Sequence, residues 1–139
     1  SRRGQEPPRT GEPGVYRRDI RAGCAVKRGE IWTVSGGSDY TGKPRPVVIL
    51  QDDRFDATAS ITVCAFTTDD TSAPLFRLQV EPSNRNGLKV VSHLMVDKIT
   101  TVPKARVGAQ IGRLDDEDMV RLNRAMLVFL GFAGAVAER

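Results

Sequence analysis

Two cysteines and one histidine in 139 residues leave this chain poor in the side chains that build disulfide frameworks and metal centres. Cys24 and Cys64 are too few for a disulfide scaffold or a four-ligand zinc site, and the single His93 excludes a two-histidine metal motif within one chain. No metal or other cofactor is expected. Long apolar runs are also missing. Met126 to Ala137 is the longest uncharged one, broken by Gly131 and Gly134, and it falls short of the roughly 20 residues that a membrane-spanning helix needs. Arg2 and Arg3 open the chain without an apolar block after them, so no secretory signal is expected and the chain reads as soluble and cytoplasmic. No phosphate-binding glycine motif follows a strand-like run, and no internal repeat is present.

What is present is ordinary globular composition, 40% hydrophobic and 27% charged, at a length that one core organises. The net charge of +4 is unevenly placed. Residues 1–26 carry six arginines against Glu6, Glu12 and Asp19, together with Pro7, Pro8, Pro13 and four glycines, and show no apolar periodicity. Such a segment cannot bury enough surface to offset its ordering entropy, so a mobile basic arm is expected over 1–26 and a folded domain over 27–139. The remainder is nearly neutral, and any nucleic-acid binding by it rests on the local placement of charge.

From Lys27 onward short β-branched and aromatic runs alternate with turn residues. Glu30–Val34, Arg45–Gln51, Ile61–Phe66 and Leu75–Val80 read as strands, the last with Phe76, Leu78 and Val80 alternating against Arg77 and Gln79. Leu88–Val102 reads as one long strand or two after the Asn86-Gly87 turn, and Ile111–Leu114 as a last short strand. One helix is predicted at the end. Asp115 is its N-cap, Asp116, Glu117 and Asp118 suit the positive end of its dipole, and Met119, Leu122, Met126 and Phe129 form its apolar stripe before Gly131. The helix start accounts for the acidic cluster without a cation. Strands this short, without helices between them, predict a mainly β fold, a small barrel or strongly coiled sheet.

The stretch Lys27-Arg28-Gly29-Glu30-Ile31-Trp32, the Gly-rich loop Ser35–Pro44, then Arg45-Pro46-Val47-Val48-Ile49-Leu50 and Ala65-Phe66-Thr67-Thr68 make an ordered series. It continues through Asp97-Lys98-Ile99-Thr100-Thr101-Val102 and Ile111-Gly112-Arg113-Leu114. This series resembles the MazF/PemK/Kid family of toxin endoribonucleases over residues 27–132. The resemblance implies an SH3-like small barrel of the MazF/Kid/CcdB type with a C-terminal helix, a homodimer, metal-free cleavage of single-stranded RNA such as mRNA, and an antitoxin protein that occupies the RNA groove.

Pro46 restricts Arg45 to extended geometry at the mouth of the loop, where a permanently charged fork of donors suits a phosphate; the alternative is an ion pair with Asp52, Asp53 or Asp56. Thr67 ends a buried strand, where its hydroxyl points into a groove or caps the turn that follows. The family places a functional Thr or Ser here, which makes Arg45 and Thr67 the leading catalytic candidates. Strand alternation puts His93, Met95 and Asp97 on one face. Some family members carry Arg and Asp at positions matching Met95 and Asp97; Met95 is a departure, and Asp97 is left as a base or orienting group. His93 is a substitute proton-transfer group or a packing residue, and Cys64 a small core residue. Asp39, Tyr40 and Lys43 of the loop, with Thr68, are the candidates for RNA contact, Tyr40 as a stacking face. Two non-catalytic alternatives are a toxin on the same fold that binds DNA gyrase and a plain RNA-binding module.

The boundary at residue 26 is testable. A protein beginning at Val26 should fold, dimerise and cut the same RNA sites as the full chain. Removal of the arm should be felt only as weaker affinity at low salt, because unselective phosphate contacts fade as counterions accumulate. Cleavage maps and salt titrations of the two proteins check this, and altered sites or an unfolded truncation would place the arm inside the domain.

Overall fold

Alternation along short strands has built a sheet with two apolar faces. A computed structural model describes residues 26–36, 43–69 and 76–133. The predicted arm, except Val26, lies outside these residues, as do Cys24, Asp39 and Tyr40. Seven strands form one antiparallel sheet: β1 (Glu30–Val34), β2 (Arg45–Ile49), β3 (Ser60–Thr67), β4 (Arg77–Val80), β5 (Ser92–Met95), β6 (Thr100–Pro103) and β7 (Val107–Arg113). The order across it is β4-β5-β3-β2-β1-β7, with β6 also on β3. Among the described residues one α-helix, α1 (Asp116–Phe129), follows.

The first face carries Ile31, Val48, Cys64, Phe66, Val80 and Leu94, all buried, and is covered by Leu114 and by Leu122 of α1. The second carries Trp32, Val34, Val47, Ile49, Val63 and Ala65 and is closed by Val107 of β7, with Val102 of β6 packed against it. Residues from distant parts of the sheet share this second core, so the sheet curls upon itself, as the predicted coiled sheet requires. Buried Glu30 serves the entry strand, its Oε1 accepting from the Trp32 indole N–H at 3.0 Å and from the Lys27 backbone N–H at 2.9 Å.

One choice left open by the sequence, and two differences from it, have local causes. The run over 88–102 is two strands, because the chain leaves the edge of β3 for one 3-10 turn, Val96–Lys98, and the Val96 N–H bonds the Phe76 carbonyl instead. Consequently only His93 and Met95 share a strand face, and Asp97 lies on the turn. The last strand begins at Val107, earlier than Ile111, since its Gly- and Gln-bearing first half pairs with β1 through two irregularities that mask the alternation. Asp115 does occupy the N-cap position, yet its side chain makes no cap bond and pairs with Arg85 at 3.5 Å. At the other end Gly131 takes a φ of 84°, the left-handed geometry expected after a helix.

Arg28 donates to the Leu50 carbonyl and to Asn123 of α1, and Arg121 donates to the Gln79 carbonyl at 3.1 Å, so the helix is pinned to both sides of the sheet. The segment 81–88 plugs against β7. Buried Asn86 accepts from the Ser83 and Leu88 N–H groups and donates to the Glu81 carbonyl at 2.8 Å. A Cβ at Gly112 would sit 2.4 Å from the Arg85 carbonyl oxygen, closer than any real contact. Gly112→Ala should therefore force these backbones apart and cost about 1–3 kcal/mol, in the range of overpacking changes. A urea titration checks it, and an unchanged midpoint would show that the plug yields freely.

Candidate functional site

Each strand pairing carries a residue of the second face outward to a polar margin. Val34 faces Arg45 across β1 and β2, and Val47 faces Ala65 across β2 and β3. Thr67 faces His93 across β3 and β5, and His93 in turn faces Gln79 on β4. Directly paired residues share a face, and alternation keeps Arg45 with Val47 and Thr67 with Ala65. Arg45, Thr67, His93 and Gln79 thus lie on one face, where the apolar interior of the sheet gives way to solvent. Arg45 is exposed at the start of β2, as Pro46 predicted, and Thr67 is half-buried at the end of β3.

The Thr67 hydroxyl accepts the Asp69 backbone N–H at 3.1 Å, so the predicted capping role is real. It does not exhaust the group, because a hydroxyl that accepts keeps its own hydrogen to donate. Thr68 falls just beyond the strand end and is exposed, and Lys43 is exposed two residues before β2.

One row inward, Met95 faces Arg77 across β5 and β4. Arg77 holds Asp97 in a forked ion pair, Nε to Oδ1 at 2.9 Å and Nη2 to Oδ2 at 3.2 Å, with side chains only 12% and 21% exposed. The guanidinium missing at position 95 is present on the neighbouring strand. Arg77 hydrogen bonding holds the Asp97 carboxyl below the usual carboxylate range, and Asp97 in return raises Arg77 further. A carboxylate with both oxygens engaged and its basicity lowered suits an orienting role better than that of a proton acceptor.

A groove of about 670 Å³ opens beside this margin, lined by Val34, Ala65, Met95 and Val102 below and by Lys98, Thr100, Thr101 and Arg106 around it. The Arg106 carbonyl accepts the Ser35 backbone N–H at 3.0 Å, which fixes one wall to the end of β1. An apolar floor with two cations and two hydroxyls suits a ligand that combines flat apolar rings with negative charge. Arg77, Lys98 and Arg106 were not singled out by the sequence reading. Only the cross-strand register brings them here, and neither spacing nor alternation within one strand carries that information. Among the described residues no cluster of three or more His, Cys, Asp or Glu side chains is arranged to hold a metal ion.

Comparison with known proteins gives this geometry relatives. A family model described as PemK-like, MazF-like toxin of type II toxin-antitoxin system matches residues 27–130. A probable endoribonuclease MazF of Mycolicibacterium smegmatis is 59% identical over 109 residues, covering 78% of this chain and all of the relative. Endoribonuclease EndoA of Bacillus subtilis is 32% identical over 112 residues, 76% of this chain and 94% of its own. Among solved structures, an endoribonuclease in complex with its cognate antitoxin, from a mycobacterial species, superposes with a TM-score of 0.62 at 23% identity, covering 77% of this chain and 94% of that one, and shows the same fold.

The forked pair makes a pH signature. Asp97 titrates lower when folded than unfolded, so its contribution to stability is complete above the unfolded carboxylate range, near pH 4, and is lost as pH falls through the folded value. Unfolding titrations in acid should show Asp97→Asn losing less stability than the wild-type chain over that window. Parallel acid profiles would dissolve the pair as a stabilising unit.

Proposed function

The chain belongs to the PemK-like, MazF-like toxins of type II toxin–antitoxin systems, and from that premise we propose how its own residues act on RNA. It is a MazF-type toxin endoribonuclease. We read its substrate as single-stranded RNA, mRNA in the cell, cut at selected sequences without a metal. The ribose 2′-oxygen attacks the adjacent phosphorus, leaving a 2′,3′-cyclic or 3′-phosphate and a 5′-hydroxyl. The observation that carries this reading is the convergence of Arg45 and Thr67 on one polar margin beside a cationic groove.

In this reading Arg45 stabilises the charge that builds on the phosphoryl oxygens, since its guanidinium cannot lose its proton and its fork matches two of them. Thr67 donates its hydroxyl hydrogen to another oxygen while the Asp69 N–H fixes the direction of the hydroxyl. The Arg77–Asp97 pair orients the groove wall from the next row. Lys98 and Arg106 hold flanking phosphates, and the floor of Val34, Ala65 and Met95 receives a base. Lys43 and Thr68 at the rim, with Asp39 and Tyr40 of the loop, select the sequence.

The same groove is where an antitoxin would compete. A structural neighbour was solved with its cognate antitoxin, which supports that partner here. We propose further that the toxin works as a homodimer in the cytoplasm; exposed Val120, Leu127 and Val128 of α1, with Leu130 just after it, supply apolar surface for an assembly. Among the described residues no helix is long and apolar enough to cross a membrane. Endoribonuclease relatives favour cleavage over gyrase binding or RNA binding alone.

Incubation of a long RNA with the protein in EDTA, followed by identification of the ends, tests the chemistry. Cleavage should persist and leave 5′-hydroxyls; products bearing 5′-phosphates would overturn the mechanism. Arg45→Ala and Thr67→Ala should each lower the rate about 10²–10³-fold, as removal of a preorganised donor does, with Arg45 the larger. Both proteins should remain folded, because each side chain stands at the margin of the sheet. Full activity in a folded Arg45→Ala protein would remove it from the site.

A further inference from the structure

The proposed cleavage leaves two protons to be moved. A bond forms from the 2′-oxygen to phosphorus as the bond from phosphorus to the 5′-oxygen breaks, so the 2′-hydroxyl must lose a proton and the 5′-oxygen must gain one. Arg45 is permanently charged and cannot accept a proton. The Thr67 hydroxyl is neutral at working pH, and Asp97 is engaged on both oxygens by Arg77. The groups named so far stabilise charge without supplying a base.

His93 is directly paired with Thr67 on the neighbouring strand and presents its side chain on the same face, half-buried. Its Nδ1 is buried and has no hydrogen-bond partner among the described residues. Neither cross-strand neighbour bonds this nitrogen: the Thr67 hydroxyl accepts from Asp69, and the Gln79 amide donates to Glu81 at 2.8 Å. An unsatisfied ring nitrogen inside a packed face is a cost that an aliphatic residue would avoid. Imidazole is also the side-chain type that exchanges protons near neutral pH, and its neutral form always carries one accepting nitrogen. We propose that His93 accepts the 2′-hydroxyl proton at Nε2, the ring nitrogen that is not buried, with Nδ1 carrying its hydrogen inside the face and the 5′-oxygen taking its proton from solvent.

This assignment rests on the endoribonuclease reading and adds the base which that reading lacks. Charged groups stand on each of the elements that adjoin the strand of His93. Arg45 stands on β2, Asp69 after β3, Arg77 and Glu81 on and after β4, Asp97 and Lys98 after β5, and Arg121 on α1, where it bonds Gln79. A base must be unprotonated to act, so the rate should fall as the imidazole charges in acid.

The test is a pH–rate profile of the full chain and of His93→Gln on one defined RNA, read with the NMR titration of the imidazole. His93 is the single histidine, so its signals need no assignment. The wild-type profile should show an acid limb whose midpoint matches that titration. His93→Gln should lower kcat about 10²–10⁴-fold, the usual worth of a proton-transfer group, leave KM within a few-fold, and lack the acid limb. An RNA 2′-O-methylated at the cut site should bind both proteins equally and shift the wild-type imidazole signals, a readout that survives if the variant fails to fold. Retention of the acid limb by a folded His93→Gln protein overturns the assignment while leaving the endoribonuclease intact. So does loss of an alkaline limb instead, or an imidazole that ignores the blocked RNA. A wild-type chain that cuts no RNA overturns both.

Discussion

Everything in this molecule leans on β3, because that strand must satisfy its backbone on both edges while burying side chains on both faces. Its first half pairs with β6 and its second half with β5, and β2 runs along the opposite edge. Ile61, Val63 and Ala65 feed one core and Cys64 and Phe66 the other. A strand held in this way cannot slip by one residue without exchanging the two cores. Thr67, the final residue of β3, inherits that rigidity, and so does His93 across from it. If they act on RNA as proposed, groups at the end of so constrained a strand are positioned with little ordering cost.

The electrostatics follow a similar economy. The domain is close to neutral, yet Lys98 and Arg106 line one opening, and Asp97, the neighbour of Lys98 in the chain, is neutralised by Arg77. Cation placement rather than cation number makes a field suited to RNA. The forked pair also braces the 3-10 turn at Val96–Lys98, the place where the chain leaves β3 and returns to it. One ion pair therefore fixes the wall of the groove and removes a charge that would repel phosphate.

Much of this was legible beforehand, and the parts that were not share a cause. Glu30–Val34 was read with its observed bounds because alternation there is uninterrupted, and the helix stripe of Met119, Leu122 and Met126 packs on the first core as its spacing predicts. Arg45 and Thr67 became candidates through the family resemblance, because Pro46 and a strand end alone left an ion pair and a turn cap as alternatives. Arg77 could not, since its partner lies twenty residues away and they meet only through the register of β4 on β5. The sequence left 88–102 as one strand or two, and the place of the break at Val96 was hidden for a similar reason. Nothing in Val96-Asp97-Lys98 forbids a strand; the Phe76 carbonyl, from a different strand, captures the Val96 N–H. Local pattern reads elements, whereas sites are assembled by pairing.

Cys64 carries a consequence of its own. Burial, reinforced by the charge of Asp97, pushes its thiol up to about 12, so the form that attacks oxidants and alkylating reagents is nearly absent in the folded chain. The thiol sits in the middle of β3, the strand whose loss dissolves both cores. Fraying at the edge of the sheet leaves a sulfur at this place covered. Modification of this sulfur in native buffer is accordingly slow, and its rate reports how often the core around β3 opens.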